Sequence, residues 1–163
     1  MNGRFVTVIR VGSNELYCVD STCYHAGGPI GLGDLEEVNG EICIKCPWHS
    51  YCVSLKDGSK LYEALELDKT TKKLTPAGWR KKEHAQRVHE VREAADGAVA
   101  VRLSRAGAWD SDEYSASAIC GERVAAGDKS GNLRGRDGAA LLPERSGHVL
   151  AHQSQSPMKQ KGL

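Results

Sequence analysis

Two short segments of the sequence carry residue types that bind metals. The first segment contains Cys23 and His25, and the second contains Cys46 and His49. Each offers one thiol and one imidazole, spaced so that both side chains can reach a common centre from one loop. Two thiols and two imidazoles can bind structural zinc, or a binuclear [2Fe–2S] group with thiolates on one iron and imidazoles on the other. The number of ligands alone does not choose between these sites.

The way the ligands are shared between the segments narrows this choice. In a zinc finger, the cysteines usually form one pair along the chain and the histidines form the other. Here each segment supplies one of each, and twenty residues separate His25 from Cys46. This sharing favours a binuclear site in which each of two loops gives one ligand to each iron.

The remaining cysteines are better explained as packed side chains than as metal ligands. Cys18, Cys43 and Cys52 lie in strand-like runs and are predicted to be small core side chains, while Cys120 is predicted to be an exposed thiol. The chain starts directly in a strand pattern without a secretory leader. We therefore expect a reducing, cytoplasmic location, in which clustered cysteines bind metal rather than form disulfides. An organelle is the alternative if the N-terminus is incomplete.

The elements that must position the two segments are predicted to be β-strands. Short β-branched runs alternate with turn residues from about residue 5 to residue 103, which predicts an all-β domain. Gly12-Ser13-Asn14 separates two such runs and predicts a hairpin, and Asp96-Gly97 predicts another near the end of the domain. The alternation over residues 87–92 is imperfect, so a short helix is the alternative there.

The C-terminal third of the chain has a different composition. Residues 111–163 are rich in Gly, Ala and Ser and contain one aromatic residue, Tyr114. No strand or helix period persists there, so a disordered tail is predicted. Across the chain, 22 Lys and Arg oppose 21 Asp and Glu, and a net charge of +1 argues against a nucleic-acid partner. No apolar run approaches the length of a membrane span.

Both metal-binding segments resemble the cluster-binding boxes of Rieske proteins. Two stretches carry the resemblance, Cys23-Tyr24-His25-Ala26-Gly27-Gly28-Pro29 and Cys46-Pro47-Trp48-His49-Ser50-Tyr51. The sequence is most similar to the soluble Rieske-type ferredoxins, because the likeness continues through residues 79–92, the following hairpin and residues 110–114. It covers about residues 5–115 and leaves the tail unexplained.

The resemblance implies a particular organisation of the chain. Residues 1–110 form a Rieske domain of small antiparallel sheets, with a two-loop cluster-binding part at about residues 21–56. Residues 111–163 follow as the tail. One [2Fe–2S] cluster per chain is implied, with two thiolates on one iron and one ring nitrogen of each of two imidazoles on the other. The implied ligands, thiolates first, are Cys23, Cys46, His25 and His49.

Three positions near these ligands lead us to expect a low reduction potential. High-potential respiratory Rieske proteins carry an additional cysteine in each loop, and the two form a disulfide. The corresponding positions here are Gly28 and Trp48. Those proteins also tend to place a hydroxyl donor two residues after the second histidine, where this chain has Tyr51. We therefore expect a potential nearer the low end of the family range of about −150 to +300 mV.

The resemblance also implies a function. It predicts a one-electron carrier that has no substrate-turnover site of its own, works as a monomer, takes electrons from a flavin reductase and passes them to an unknown acceptor. One alternative is a small Rieske-like subunit or component of an oxidoreductase such as nitrite reductase. The other is a structural zinc-binding module, which the same four ligands permit. No membrane span and no nucleic-acid partner are predicted.

Overall fold

β-Strands dominate the computed structural model, which describes residues 4–115, 149–153 and 159–160. They form two sheets, which confirms the predicted all-β class. The other regular elements described are a short 3-10 helix at Ile30–Leu32 and one helical turn, α1, at Asp112–Ser115. Within these residues, no helix is both long and apolar enough to cross a membrane.

The first sheet has five strands and contains the predicted N-terminal hairpin. Its strands are β1 (Val6–Val11), β2 (Glu15–Asp20), β8 (Val88–Glu93), β9 (Val99–Arg102) and β10 (Val149–Gln153). Their order is β10-β1-β2-β8-β9, and each pair is antiparallel except β10 with β1. Gly12 takes a left-handed φ of 60° in the turn between β1 and β2. Strand β8 excludes the helical alternative for residues 87–92.

The second sheet has six strands, and both ends of the second predicted metal-binding segment lie in it, whereas the first segment follows β2 of the other sheet. Its strands are β3 (Asp34–Val38), β4 (Glu41–Lys45), β5 (Cys52–Ser54), β6 (Lys60–Leu67), β7 (Leu74–Lys82) and β11 (Lys159–Gln160). They lie in the order β11-β3-β4-β5-β6-β7, and only β11 pairs in parallel. The segment with the second pair of ligands connects β4 to β5.

The long hairpin of β6 and β7 was not predicted from the sequence. Lys, Glu, Leu and Ala dominate this stretch, and most of these residues do not favour strands. Its turn is fixed by Asp68, whose carboxylate accepts hydrogen bonds from the backbone N–H groups of Thr70 and Thr71 at 2.8 and 2.9 Å. These hydrogen bonds join residues close together in the sequence and stabilise the turn by themselves. The hairpin can therefore form although its strands contain few residues that favour strands.

The predicted C-terminal tail is only partly described. Residues 149–153 and 159–160 lie in the sheets as β10 and β11, while the rest of the chain beyond residue 115 lies outside the described residues. Cys120, which is predicted to be an exposed thiol, therefore lies outside the described residues. The domain boundary near residue 110 stays a prediction.

The largest apolar group joins the two sheets directly beneath the metal-binding segments. Both cysteines of the predicted site belong to it, and each side chain in it is nearly inaccessible to solvent. Its other buried members are Ile9, Val19, Ile30, Ile44, Val53 and Leu55. Because such a group buries the base of both segments, their cysteines are held by packing as well as by backbone hydrogen bonds.

Asp20, at the end of β2, is a fully buried carboxylate with several hydrogen-bond donors around it. Arg4 donates to it at 2.6 and 2.9 Å, His89 at 3.0 Å and Ser111 at 2.6 Å. Burial alone would raise the pKa of Asp20, but the hydrogen bonds from Arg4, His89 and Ser111 outweigh it and lower that pKa. A buried charge of this kind is tolerated only with such partners.

A second carboxylate ties α1 to the same sheet. Arg87 donates two hydrogen bonds to Asp112, at 2.8 and 2.7 Å, and Arg4 also contacts Asp112. The bond from Arg87 holds the pKa of Asp112 well below its usual range. Arg4 therefore bridges the two carboxylates, and the N-terminal arm before β1 shares one ionic network with β2, β8 and α1.

We expect Asp20→Asn to lower the free energy of unfolding at pH 7 by about 3 kcal/mol, because it leaves buried donors without their anion. The pKa of Asp20 is lowered in the folded state, so its contribution is fully present above the unfolded pKa of about 3.9 and is lost as the pH falls through the lower folded pKa. The melting temperatures of wild type and variant should therefore begin to converge as the pH falls below about 4.

Asp68→Asn is the matched control for this prediction. It makes the same chemical change in an exposed turn, and the asparagine carbonyl can accept the same two hydrogen bonds. We expect circular dichroism melting curves of this variant to stay close to wild type at pH 7. Equal losses in the two variants would contradict the assigned role of Asp20.

Candidate metal centre

The first metal-binding loop, residues 21–29, is closed by its own backbone. The N–H of Cys23 donates to the carbonyl of Gly28 at 2.7 Å, and the N–H of Gly27 donates back to the carbonyl of Cys23 at 2.8 Å. Gly27 has a φ of 69°, a conformation that glycine adopts without steric cost. The cysteine is therefore held by a tight ring of backbone hydrogen bonds.

The second loop, residues 46–51, repeats this pattern. The N–H of Cys46 donates to the carbonyl of Tyr51 at 2.9 Å, and the N–H of Ser50 donates back to the carbonyl of Cys46 at 2.9 Å. Ser50 takes the equivalent left-handed position with a φ of 57°. In both loops the cysteine bonds to the residues four and five positions later, so both thiols are presented by the same backbone geometry.

Two glycines allow the loops to approach each other. A Cβ on Gly28 would lie 3.1 Å from the Cys46 sulfur and 3.0 Å from the ring of Trp48, so the first loop packs directly on the second. A Cβ on Gly33 would lie 2.1 Å from the carbonyl oxygen of Lys45, the residue before Cys46. A larger side chain at either position would push the loops apart.

The two predicted cysteine ligands form a buried pair. Cys23 and Cys46 are 1% and 2% exposed, and their side chains are hydrogen-bonded to each other. The bond from Cys23 lowers the pKa of Cys46 to about 6, and the backbone N–H groups of Trp48 and His49 lower it further. The same bond, together with burial, raises the pKa of Cys23. One sulfur of the pair is thus disposed to be a thiolate, the form that binds metal.

The two predicted histidine ligands form a second pair at the surface. The Nδ1 atoms of His25 and His49 lie 3.3 Å apart, and their rings meet edge to face with centroids 4.7 Å apart. Both residues are exposed. Their Nδ1 atoms are therefore directed at a shared position, while the loops present the rest of each ring to solvent.

Aromatic and cationic side chains surround the imidazoles. The ring of Tyr51 lies 4.4 Å from that of His25, and Lys60 places its ammonium 4.1 Å above the Tyr51 ring. Trp48 is 49% exposed, with its ring centroid 6.4 Å from that of His49. The exposed side of the candidate site is thus formed by aromatic rings, with the ammonium group of Lys60 beside them.

The four predicted ligands come together as two pairs, one of thiols inside the protein and one of imidazoles at its surface. Across the described ranges, no three His, Cys, Asp or Glu side chains are arranged to hold one metal ion. A buried sulfur pair that receives peptide N–H bonds, next to an exposed pair of imidazoles, is chemically suited to a [2Fe–2S] group with two thiolate and two imidazole ligands.

The other cysteines and histidines whose side chains the structure describes lie away from this arrangement. Cys18 and Cys43 are buried in strands, as predicted, whereas Cys52 is only partly buried. His84 is exposed and packs on Trp109, and His89 is buried against Asp20.

Sequence reasoning missed two contacts on the first loop. The hydroxyl of Tyr114 in α1 donates to the carbonyl of His25 at 3.4 Å. The side chain of Gln86 bonds to the backbone of Thr22 and Tyr24, on either side of Cys23. Both residues lie in stretches that resemble the family, but the sequence does not predict these contacts, because they depend on how distant segments meet.

Comparison with known proteins finds curated relatives that match parts of this chain. A Rieske domain-containing protein from Homo sapiens is 39% identical over 84 residues, which span 52% of this chain and 52% of the human protein. The Cholesterol 7-desaturase of Caenorhabditis elegans is 36% identical over 56 residues, or 34% of this chain and 13% of the desaturase. The matches thus span about half of one curated relative and a small part of the other.

The family comparison covers more of the chain. The sequence model of the soluble Rieske-type ferredoxins matches residues 1–106, which include both loops and strands β1 to β9. Proteins of this kind bind [2Fe–2S] clusters and serve electron transfer. The chain belongs to the soluble Rieske-type ferredoxin family.

Proposed function

We propose that this chain binds one [2Fe–2S] cluster between its two loops and carries single electrons as a soluble ferredoxin. Cys23 and Cys46 hold one iron as thiolates, and His25 and His49 hold the other through one ring nitrogen each. The observation that carries the proposal is the separation of the four side chains into a buried thiol pair and an exposed imidazole pair. A two-iron group with thiolates on one iron and imidazoles on the other fits an arrangement in which the two kinds of side chain form separate pairs.

The positions of the ligands suggest how the site works. A bound cluster would accept and release one electron. Burial of both cysteines keeps water from their sulfurs, while His25 and His49 give a partner protein its shortest approach. The flat rings of Trp48 and Tyr51 offer a contact surface beside the imidazoles. We propose a redox protein as the partner, with a flavin reductase as donor, and a monomeric carrier.

The potential is proposed to lie at the low end of the family range. Two neutral imidazoles in place of two thiolates make the site less negative, which raises the potential above that of an all-cysteine cluster. Gly28 and Trp48 occupy the places of the disulfide found in high-potential relatives. Tyr51 packs on His25 and under Lys60, which keeps its ring at the surface of the site. We therefore expect a value nearer −150 mV than +300 mV, about the limits of the range.

A component of a larger oxidoreductase is the second candidate function. The match to 56 residues of a Cholesterol 7-desaturase favours it, because a related segment there is part of a much longer protein. A free carrier should purify alone, with its cluster reducible by a purified flavin reductase. A component should instead be recovered in a stable complex, and size-exclusion chromatography of the native protein separates these cases.

The ligand assignment is tested by paired substitutions. We expect Cys46→Ser and His49→Asn to abolish the visible absorption and the iron content, because each removes a ligand. The matched controls are Cys52→Ser and His84→Asn, which make the same changes outside the proposed site. Iron, sulfide and zinc are to be counted in anaerobically purified samples of each variant.

The controls should keep the wild-type iron content and spectrum. Full iron loading in Cys46→Ser or His49→Asn would contradict the ligand assignment. One zinc per chain and no iron in the wild-type protein would instead support the structural zinc module and overturn the proposed electron transfer.

A loop-packing substitution tests the proposed cluster from another direction. In Gly28→Ala the new methyl group would lie about 3 Å from the Cys46 sulfur and the Trp48 ring, so one of them must move. We expect less iron per chain and a shifted visible spectrum. Gly12→Ala is the control, because its Cβ meets nothing within 4 Å and its φ of 60° costs stability only. A normal spectrum in Gly28→Ala would contradict the close packing of the loops on the cluster.

A further inference from the structure

Gln86, in the segment between β7 and β8, is a completely buried amide. Its Nε2 donates to the carbonyl of Asp20 at 2.9 Å and to the carbonyl of Thr22 at 2.8 Å. Its Oε1 accepts from the backbone N–H of Tyr24 at 2.9 Å. The amide therefore holds the chain immediately before and immediately after Cys23.

Only a carboxamide can make this set of bonds. The side chain faces two carbonyl oxygens, which need donors, and one N–H, which needs an acceptor. A flipped amide would place its oxygen against both carbonyls, so the orientation is fixed. A carboxylate could bond to Tyr24 but would face the carbonyls of Asp20 and Thr22 without a proton, and an aliphatic side chain would leave all three groups unpaired.

The backbone of Gln86 is itself anchored to the far side of the site. Its N–H donates to the carbonyl of Gly58 at 2.9 Å, in the turn that follows β5. A Cβ on Gly58 would lie 1.8 Å from the carbonyl oxygen of Gln86. Any residue other than glycine at position 58 would therefore clash with the backbone of Gln86. The next residue, Arg87, accepts from the N–H of Asp20 at 3.0 Å. Gln86 thus joins the first loop to the segment that follows the second loop.

We infer that Gln86 is a positioning residue that fixes the direction of the Cys23 sulfur, an inference that rests on the proposed function. The carbonyl of Thr22 and the N–H of Tyr24 belong to the two peptide planes that flank Cys23. Bonds to both planes restrict rotation of the Cys23 backbone and hence the direction of its Cα–Cβ bond. The hydrogen bonds within the loop close the ring, whereas those of Gln86 tie the two peptides that flank Cys23 to the segment before β8.

The consequence concerns the iron bound by Cys23 and Cys46. With the amide in place, the Cys23 sulfur has one direction relative to Cys46. Without it, the first loop keeps its contacts with the second loop and with Tyr114, but the peptides on either side of Cys23 lose their anchor, so we expect the bonds at this iron to vary from molecule to molecule. Partners behind a metal ligand commonly change metal affinity by about 10- to 100-fold.

Two substitutions of Gln86 test this role. Gln86→Met keeps the length of the side chain and removes all three hydrogen bonds. Gln86→Glu keeps the acceptor for Tyr24 and loses both donors. Val8→Ala is the control, because Val8 is buried in a different apolar group with Val6 and Cys18 and its truncation lowers stability. The readouts are the EPR line widths of the reduced protein, its reduction potential and the rate of iron loss to a chelator.

We expect both Gln86 variants to show broadened EPR lines and a shifted potential. We also expect them to lose iron about 10-fold faster than wild type. Val8→Ala should lower the melting temperature and leave the EPR spectrum and potential unchanged. If the Gln86→Met protein cannot be purified, the Gln86→Glu protein is compared with wild type and with Val8→Ala by the same measurements.

Two outcomes would overturn the inference. The first is a wild-type EPR spectrum and potential in the Gln86 variants, with stability losses like that of Val8→Ala. The second is failure of both Gln86 variants to fold while Val8→Ala folds, which would make Gln86 a purely structural residue. A wild-type protein without iron would be a failure of the proposed function instead, so the two failures are distinguishable.

Discussion

The buried carboxylate of Asp20 is the constraint around which the domain is arranged. A buried charge needs partners, and those of Asp20 come from the N-terminal arm, β8 and the start of α1. Its backbone carbonyl accepts from Gln86, and its N–H donates to Arg87. The first loop begins directly after this residue. The ionic network thus fixes the position of Asp20, the residue after which the loop with Cys23 begins.

The two loops show how one backbone design can present two kinds of side chain that bind metals. Each cysteine is closed in by hydrogen bonds to the residues four and five positions later, which directs both sulfurs inward. The histidines differ in spacing, two residues after Cys23 and three after Cys46, yet both reach the surface with their Nδ1 atoms 3.3 Å apart. Inward thiols and outward imidazoles give a site that is shielded from water on one side and open to the surface on the other.

Much of this arrangement could be predicted from the sequence, because its determinants are local. The spacing of Cys23, His25, Cys46 and His49 identified the residues that the structure brings together, and turn residues predicted the β1–β2 hairpin. The β6–β7 hairpin was missed, since its strands have a composition that does not favour them. Gln86 was also missed, because its role depends on segments more than 60 residues apart in the sequence.

Whether the paired thiols and imidazoles hold a two-iron cluster can be measured on one preparation. The measurement is an EPR spectrum of the dithionite-reduced, anaerobically purified protein, with iron and zinc counted on the same sample. We expect a rhombic signal with an average g below the free-electron value and about two irons per chain. A protein with one zinc, no iron and no EPR signal would contradict it.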